Sequence, residues 1–270
     1  MSLLDPLSHA LATVVAGAHT LVTALGADPD GGGTWLLSIA GVVVIVRLAL
    51  LPLVVRGVRQ AHAGARARPH LKRLSEKYAD RRDPESMRAF LEERRRLGAE
   101  HGVSRLGCLP TLAQIPVWMA LYHLLRQVTA GTAVGALTPT LVASFGAATI
   151  AGVPLAAHGY VGGGATHLAV VAGLAGTAAV VGFVTQRYLV APTTVTADLP
   201  DAMVSAQQLA PLLSAGAMLV AGSAVPVALL AYWVCSSLWT CGQAAVIHRW
   251  FPTPGSPAAA RAAARGAVGG

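Results

Sequence analysis

The run of residues 35–55, WLLSIAGVVVIVRLALLPLVV, constrains the fold most, because it is apolar throughout except for one arginine, Arg47. A helix of roughly 20 apolar residues crosses the hydrocarbon core of a bilayer. An arginine there costs at least about 2.5–3.5 kcal/mol, and such residues commonly face a bundle interior or a water-filled cavity. The alternative is a side chain that extends to the membrane surface. The run therefore predicts a membrane span with Arg47 as a candidate functional residue.

The distribution of charge indicates how the chain lies in the membrane. Hydrophobic residues make up 54% of the chain and charged residues 12%, which is typical of an integral membrane protein. Residues 56–105 hold 14 of the 20 basic residues and seven of the 12 acidic ones, so this block is mixed in charge and no DNA partner is expected. Because lysine and arginine mark the cytoplasmic side, the block should lie inside and the amino terminus outside.

The rest of the chain divides by hydropathy and turn residues into an all-α arrangement with five membrane spans. Placing no span in residues 130–165 keeps the later basic residues on the cytoplasmic side. The predicted segments are an extracytoplasmic segment with an interfacial helix (1–34), a first transmembrane helix (35–59), a cytoplasmic helical hairpin (60–105), transmembrane helices two to five (106–250) with an extracytoplasmic loop carrying a short peripheral helix (130–165) and a cytoplasmic loop (191–202), and a disordered cytoplasmic tail (251–270).

The charged block predicts a pair of helices. Asp83-Pro84-Glu85 is a helix-start signal, with an acid at the N-cap and a proline at the first helical position. Apolar stripes on the two predicted helices favour packing as a short coiled coil. A solvated pair of charged helices remains the alternative.

The second predicted span, residues 106–128, carries one polar and aromatic face. Thr111, Gln114, Trp118 and Tyr122 follow one another at spacings of three or four. This face predicts the lining of a wet groove together with Arg47. The alternative is a face that holds neighbouring helices together by hydrogen bonds.

Several classes of chemistry have no sequence support. Every acidic residue lies outside the five predicted spans, so Arg47 has no acidic partner within them, whereas ion-coupled transporters commonly carry intramembrane carboxylates. The chain has no phosphate-binding loop, zinc-protease motif or serine nucleophile elbow. We therefore expect a protein that is not an enzyme and uses no metal or cofactor. Its water-filled hollow would receive polar or acidic segments of a client chain.

Five stretches of the sequence resemble the YidC/Oxa/Alb family of membrane protein insertases, in its short Gram-positive and actinobacterial form. They are IVRLALLPL around Arg47, LKRLSEKYAD in the hairpin, EHGVSRLGCLPTLAQIPVWMALYHLLR through the second span, APTTVT in the inner loop and VPVALLAYWVCSSLW in the fifth span. The resemblance covers about residues 35–250. Two positions depart from the family pattern, since Ser237 stands where asparagine is usual and Ala228 where glycine is usual.

The resemblance implies five helices around a hydrophilic groove that opens to the cytoplasm and to lipid. It implies a multi-pass protein of the bacterial cell membrane that inserts nascent membrane proteins, with the ribosome and the Sec translocon as further candidate partners. A small-solute channel or carrier and a membrane scaffold without activity of its own remain the alternatives. The groove residues that it implies, together with Trp118 from the polar face, are Arg47, Thr111, Gln114, Trp118, Gln186, Tyr232 and Trp233.

Overall fold

The computed structural model describes residues 5–80, 83–103, 109–195 and 201–268. In the range that begins at residue 109, side chains are described from residue 115 onward. Ten α-helices and one short hairpin of strands lie within these ranges, and their bounds are as follows. They are α1 (Asp5–Ala24), α2 (Gly32–Ala49), α3 (Leu51–Lys77), α4 (Pro84–Glu100), α5 (Leu109–Thr129), α6 (Pro139–Ala147), β1 (Thr149–Ile150), β2 (Val153–Pro154), α7 (Gly164–Val184), α8 (Asp201–Ala221), α9 (Val227–Trp250) and α10 (Pro257–Val268).

The prediction of an all-α integral membrane protein is confirmed. Within the described part of the chain, five helices are long and apolar enough to cross a membrane. They are α1, α2, α7 with its continuation to Thr193, α8 from Ala202, and α9. Because α1 has the length of a span, the interfacial placement of residues 1–34 stays a prediction. The second span at 106–128 also stays a prediction, because the side chains at the start of α5 lie outside the described residues.

The first predicted span differs from the structure at its carboxyl end. The sequence predicts one helix across residues 35–59, but α2 ends at Ala49 and α3 begins at Leu51. Pro52 explains the break, because it lacks the N–H that an uninterrupted helix would donate to the Leu48 carbonyl, whereas a proline is tolerated in the first turn of a new helix. Arg47 consequently lies in the last turn of α2 rather than in the middle of a long helix.

The chain forms two compact units. The first comprises residues 1–50, 112–186 and 209–243, and the second comprises residues 51–111, 187–208 and 244–270. In the first unit, α1 packs against α2, and a large hydrophobic core forms among α1, α2, α5, the 130–165 loop, α7 and α9. Trp35 is buried in this core, and its ring meets the ring of Phe145 edge-on at 5.2 Å.

The loop of residues 130–165 is an ordered part of the first unit. It contains the short helix that the sequence predicts, α6, followed by a two-residue hairpin whose turn has Ala151 and Gly152 at positive φ. The Val227 N–H donates to the carbonyl of Ala157, which fixes the start of α9. Gly32, the first residue of α2, lies so close to the Thr149 carbonyl that a Cβ atom there would overlap it.

The second unit contains the helical pair. Asp83 accepts a hydrogen bond from the Ser86 N–H at 2.8 Å, which confirms the predicted helix start. The first helix of the pair, α3, runs through Pro69 without ending. Leu74 is buried, and Tyr78 meets Phe90 edge-on at 5.7 Å.

The carboxyl-terminal tail differs from the prediction of disorder. Residues 257–268 form α10, whose start is held by Ser256, which accepts a hydrogen bond from the Ala259 N–H. The alanine-rich composition that suggested disorder also has the strongest intrinsic preference for helix. Burial of Ser256 and Ala258 adds the tertiary contact that a short helix needs.

Candidate functional site

Arg47 bonds to a hydroxyl group inside the first unit. Its Nη2 donates to the Oγ of Ser236, on α9, at 2.7 Å. The guanidinium is half-buried beside apolar side chains of α2 and α5, including Val43, Val46 and Leu121. Its position in the last turn of α2 is favourable, because the carboxyl end of a helix dipole attracts a cation.

A stripe of polar groups on α9 surrounds this contact. Tyr232, Ser236 and Thr240 are four residues apart, so they share one face of the helix. Tyr232 lines the small cavity beside Arg47. The Thr240 hydroxyl donates to the Ser236 carbonyl at 2.8 Å. The stripe therefore extends the polar surface along α9 in both directions from Ser236.

A second cavity, of about 190 Å³, lies on the other side of Ser236. The helix α7 continues into a π-helix, Thr185–Val190, and Gln186 in its first turn lines the cavity. Such π-helical turns are rare and frequently occur at functional sites. The polar residues that line the cavity come from the π-helix, α8 and α9, and they are Thr185, Gln186, Ser214, Ser236, Ser237 and Thr240. Apolar side chains line the rest of the cavity, which has room for several water molecules beside these polar groups.

We call Arg47, Ser236 and the polar residues of the second cavity the polar centre. Four of the seven predicted groove residues can be placed relative to it. The structure brings Arg47 and Tyr232 to one cavity and links them through Ser236 to Gln186 in the other. Trp233 is half-buried and packs against the hydrophobic core.

The remaining three predicted groove residues all belong to α5. Trp118 is 42% exposed, and its ring stacks on Tyr122 at 6.0 Å. Thr111 and Gln114 fall on α5, but their side chains lie outside the described residues.

Sequence reasoning missed Ser236 as the partner of Arg47. The sequence does show a polar stripe, because Ser236 follows Tyr232 by one helical turn and precedes Thr240 by another, but nothing in it pairs Ser236 with Arg47. Ser214 and its place in the second cavity had no comparable signal, since an isolated serine in an apolar helix has many other uses.

The second unit carries a different kind of polar site, on the surface of the helical pair. Lys77 donates to Glu93 at 2.9 Å, and the Tyr78 hydroxyl donates to the same carboxylate at 3.2 Å. The hydrogen bond to Glu93 raises the pKa of Lys77, and the same bond lowers the pKa of Glu93. Both groups are in water, so screening leaves this pair with little influence on stability.

Comparison with known proteins gives one matching family. The family model described as "60Kd inner membrane protein" matches residues 28–254. A "Membrane protein insertase YidC" of Streptomyces avermitilis is 33% identical over 244 residues, which are 86% of this chain and 55% of that protein. One of Mycolicibacterium paratuberculosis is 30% identical over 241 residues, covering 80% of this chain and 67% of that protein.

A third relative comes from outside the actinobacteria. "Membrane protein insertase MisCA" of Bacillus subtilis is 33% identical over 97 residues, covering 36% of this chain and 37% of that protein. The chain spans only about half the length of the first curated relatives that it matches.

Proposed function

Because the chain belongs to the YidC/Oxa/Alb family of membrane protein insertases, we propose that it inserts nascent membrane proteins into the bacterial cell membrane and assists their folding. The match to the family model over residues 28–254 supports this role, as do the insertase names of its relatives. In this proposal the chain works as a chaperone and not as an enzyme, with no cofactor. Its partners are the client chain and the lipid bilayer.

One observation carries the proposed mechanism. The guanidinium of Arg47, within the membrane helices, donates its hydrogen bond to a neutral hydroxyl group. Among the described residues, no carboxylate pairs with Arg47, and the guanidinium bonds to Ser236 instead. Its positive charge is therefore available to an acidic group of a client. In the proposal, the polar flank of a client enters a hydrophilic groove formed by Arg47, Thr111, Gln114, Trp118, Gln186, Tyr232 and Trp233.

The groove would act by shortening the apolar path that a polar segment must cross. Moving an unpaired polar group from water into an apolar medium costs roughly 2–7 kcal/mol. The hydroxyl and amide groups around the 190 Å³ cavity can hold water, which lowers that cost. Attraction between Arg47 and an acid about 4 Å away adds about 1 kcal/mol in water and about 4 kcal/mol at an effective dielectric constant of 20.

Reconstitution tests the activity directly. Purified protein in liposomes should insert a single-span client with a short acidic external segment, and empty liposomes should not. Arg47→Ala should reduce the insertion at least about fivefold, as expected for the loss of roughly 1 kcal/mol or more. Solute flux through the same liposomes without any client would instead support a channel or carrier. Insertion that is no better than in empty liposomes would contradict the proposal.

The proposed orientation has the amino terminus outside and both the helical pair and the carboxyl terminus inside. The excess of basic residues in 56–105 supports it. In a chain whose three cysteines are replaced, single cysteines at exposed Ala143 and Ala263 report the two sides. A membrane-impermeant thiol reagent added outside should label position 143 and not position 263, and the reverse pattern would contradict the orientation.

The helical pair is proposed to recruit clients, the ribosome or the Sec translocon. Its surface is charged, and α4 buries none of its residues, so its surface is free for such contacts. Deleting residues 61–99 should reduce insertion while the first unit keeps its thermal stability. Normal insertion by the deleted chain would show that the pair recruits nothing.

A further inference from the structure

Two histidines of the helical pair lie ring to ring. His70 is on α3 and His101 follows the last residue of α4, and their ring centroids are 4.8 Å apart with an angle of 41° between the planes. Both lie in the second unit. The Tyr78–Phe90 and Lys77–Glu93 contacts also join these two helices.

Antiparallel packing of the two helices produces this pairing. Residues 70, 74 and 77 share one face of α3, and residues 93 and 97 share one face of α4, which His101 continues just past the end of that helix. Lys77 meets Glu93 near the closed end, the buried Leu74 lies between, and His70 meets His101 about two turns further on. The histidine pair therefore follows from the same register as the salt bridge and stands at the open end of the pair.

The protonation of His101 is suited to metal binding. Its Nδ1 bonds to the Leu97 carbonyl at 2.9 Å, and because a carbonyl only accepts, Nδ1 carries the proton. The Nε2 lone pair is then free to coordinate. A metal-bound histidine characteristically donates its other N–H to a carbonyl or carboxylate, which fixes its tautomer and orientation.

We propose that His70 and His101 form a two-histidine site for a borderline divalent transition metal ion such as Zn²⁺. With Zn–N bonds of about 2.0–2.1 Å and a tetrahedral angle, two ligating imidazole centroids would be about 5.2 Å apart. The observed centroid separation of 4.8 Å is close to this value. No group of three or more His, Cys, Asp or Glu side chains suited to a metal occurs in the part of the chain that the structure describes, so water would complete the coordination. Imidazole is a favoured ligand for zinc, copper and nickel.

A metal ion there would join the end of α4 to α3. Binding to the folded pair alone stabilises it by mass action, so metal should slow the opening of the last turn of α4. The site concerns the helical pair itself and does not depend on the proposed insertase role.

Zinc titration of the full-length protein in detergent tests the site. The wild type should bind one more Zn²⁺ than His70→Gln or His101→Gln, and the double variant should bind the same number as either single variant. His62→Gln is the matched control, because His62 is on the same helix but eight residues before His70, about 12 Å along the helix axis, which is too far to share an ion with the pair. It should keep the full zinc stoichiometry.

Hydrogen exchange provides a second readout. Zn²⁺ should slow amide exchange at residues 97–101 in the wild type and in His62→Gln, and should leave it unchanged in His70→Gln. Equal zinc stoichiometry in the wild type and the single variants would overturn the proposal. So would a double variant that loses two ions, because it would show two independent histidines.

Discussion

The Arg47–Ser236 and Lys77–Glu93 contacts are both short hydrogen bonds from a cationic side chain, yet their surroundings differ. The first, at 2.7 Å, joins two membrane helices and has a hydroxyl as acceptor. The second, at 2.9 Å, joins two solvated helices and has a carboxylate as acceptor. In water a neutralised ion pair contributes little. Among apolar helices a cation that lacks a neutralising partner is costly, and the proposed function gives this cation a role.

The two regions also differ in how they are held together. The first unit buries a continuous core, whereas α4 has no buried residue. The helices around Arg47 can therefore hold a polar group at a fixed position. The helical pair has the few tertiary contacts expected of a segment that opens locally.

The largest expected effect is on the free energy of unfolding, and it contrasts a buried side chain of the first unit with an exposed one of the helical pair. Leu155 is completely buried in the first unit, and Leu91 on α4 is 42% exposed. Leu155→Ala should lower the free energy of unfolding by about 2–5 kcal/mol, because it leaves a cavity. Leu91→Ala is the control and should change it by less than about 1 kcal/mol. Denaturation in detergent measures both, and equal effects would remove the distinction between the two regions.

A smaller effect separates the bonded serine from its neighbour. Ser236 accepts the hydrogen bond of Arg47, while Ser237 lines the second cavity. Ser236→Ala should reduce insertion of an acidic client by about three- to tenfold, corresponding to roughly 0.7–1.4 kcal/mol for a hydrogen bond to a charged group that water partly replaces. Ser237→Ala should stay within about twofold. A larger loss in Ser237→Ala would indicate that the cavity matters more than the orientation of Arg47.

The smallest effect concerns pH and the surface pair. Because the pKa of Glu93 is lowered in the folded chain, its contribution is present above its ordinary value near 4.5 and is lost as pH falls through the lowered pKa. The melting temperature of the wild type should therefore fall slightly more than that of Glu93→Gln between pH 6 and pH 3. Circular dichroism of the full chain measures it. A large difference would contradict the view that screening weakens this pair.

The sequence predicted a structural feature well where neighbouring residues determine that feature. The helix start at Asp83 and the short helix in the 130–165 loop follow from caps, prolines and glycines, and both are present. The break at Leu50 was missed because hydropathy is continuous across Pro52, although the α-helix is interrupted there. The tail helix was missed because alanine and glycine composition does not show the tertiary contact that holds it.

The candidate site also combines a feature that neighbouring residues reveal with features that depend on distant contacts. Arg47 stood out because a lone charge in an apolar run is visible in the sequence alone. Its partner Ser236 is 189 residues away, and no local pattern links the two positions. Gln186 was placed by family resemblance, whereas the π-helix that carries it has no evident sequence signal.

The central claim is that the charge of Arg47 attracts acidic segments of a client, and a matched pair of clients tests it. The two clients share one span and differ only in whether their external segment carries acids or the corresponding amides. Insertion of each is measured in liposomes that carry the wild type, Arg47→Lys or Arg47→Ala. We predict that Arg47→Lys retains most activity with both clients, because it keeps the charge. Arg47→Ala should reduce insertion of the acidic client at least about fivefold and leave the neutral client within about twofold. An equal loss for both clients would contradict the attraction and would leave Arg47 only the role of keeping the polar centre hydrated.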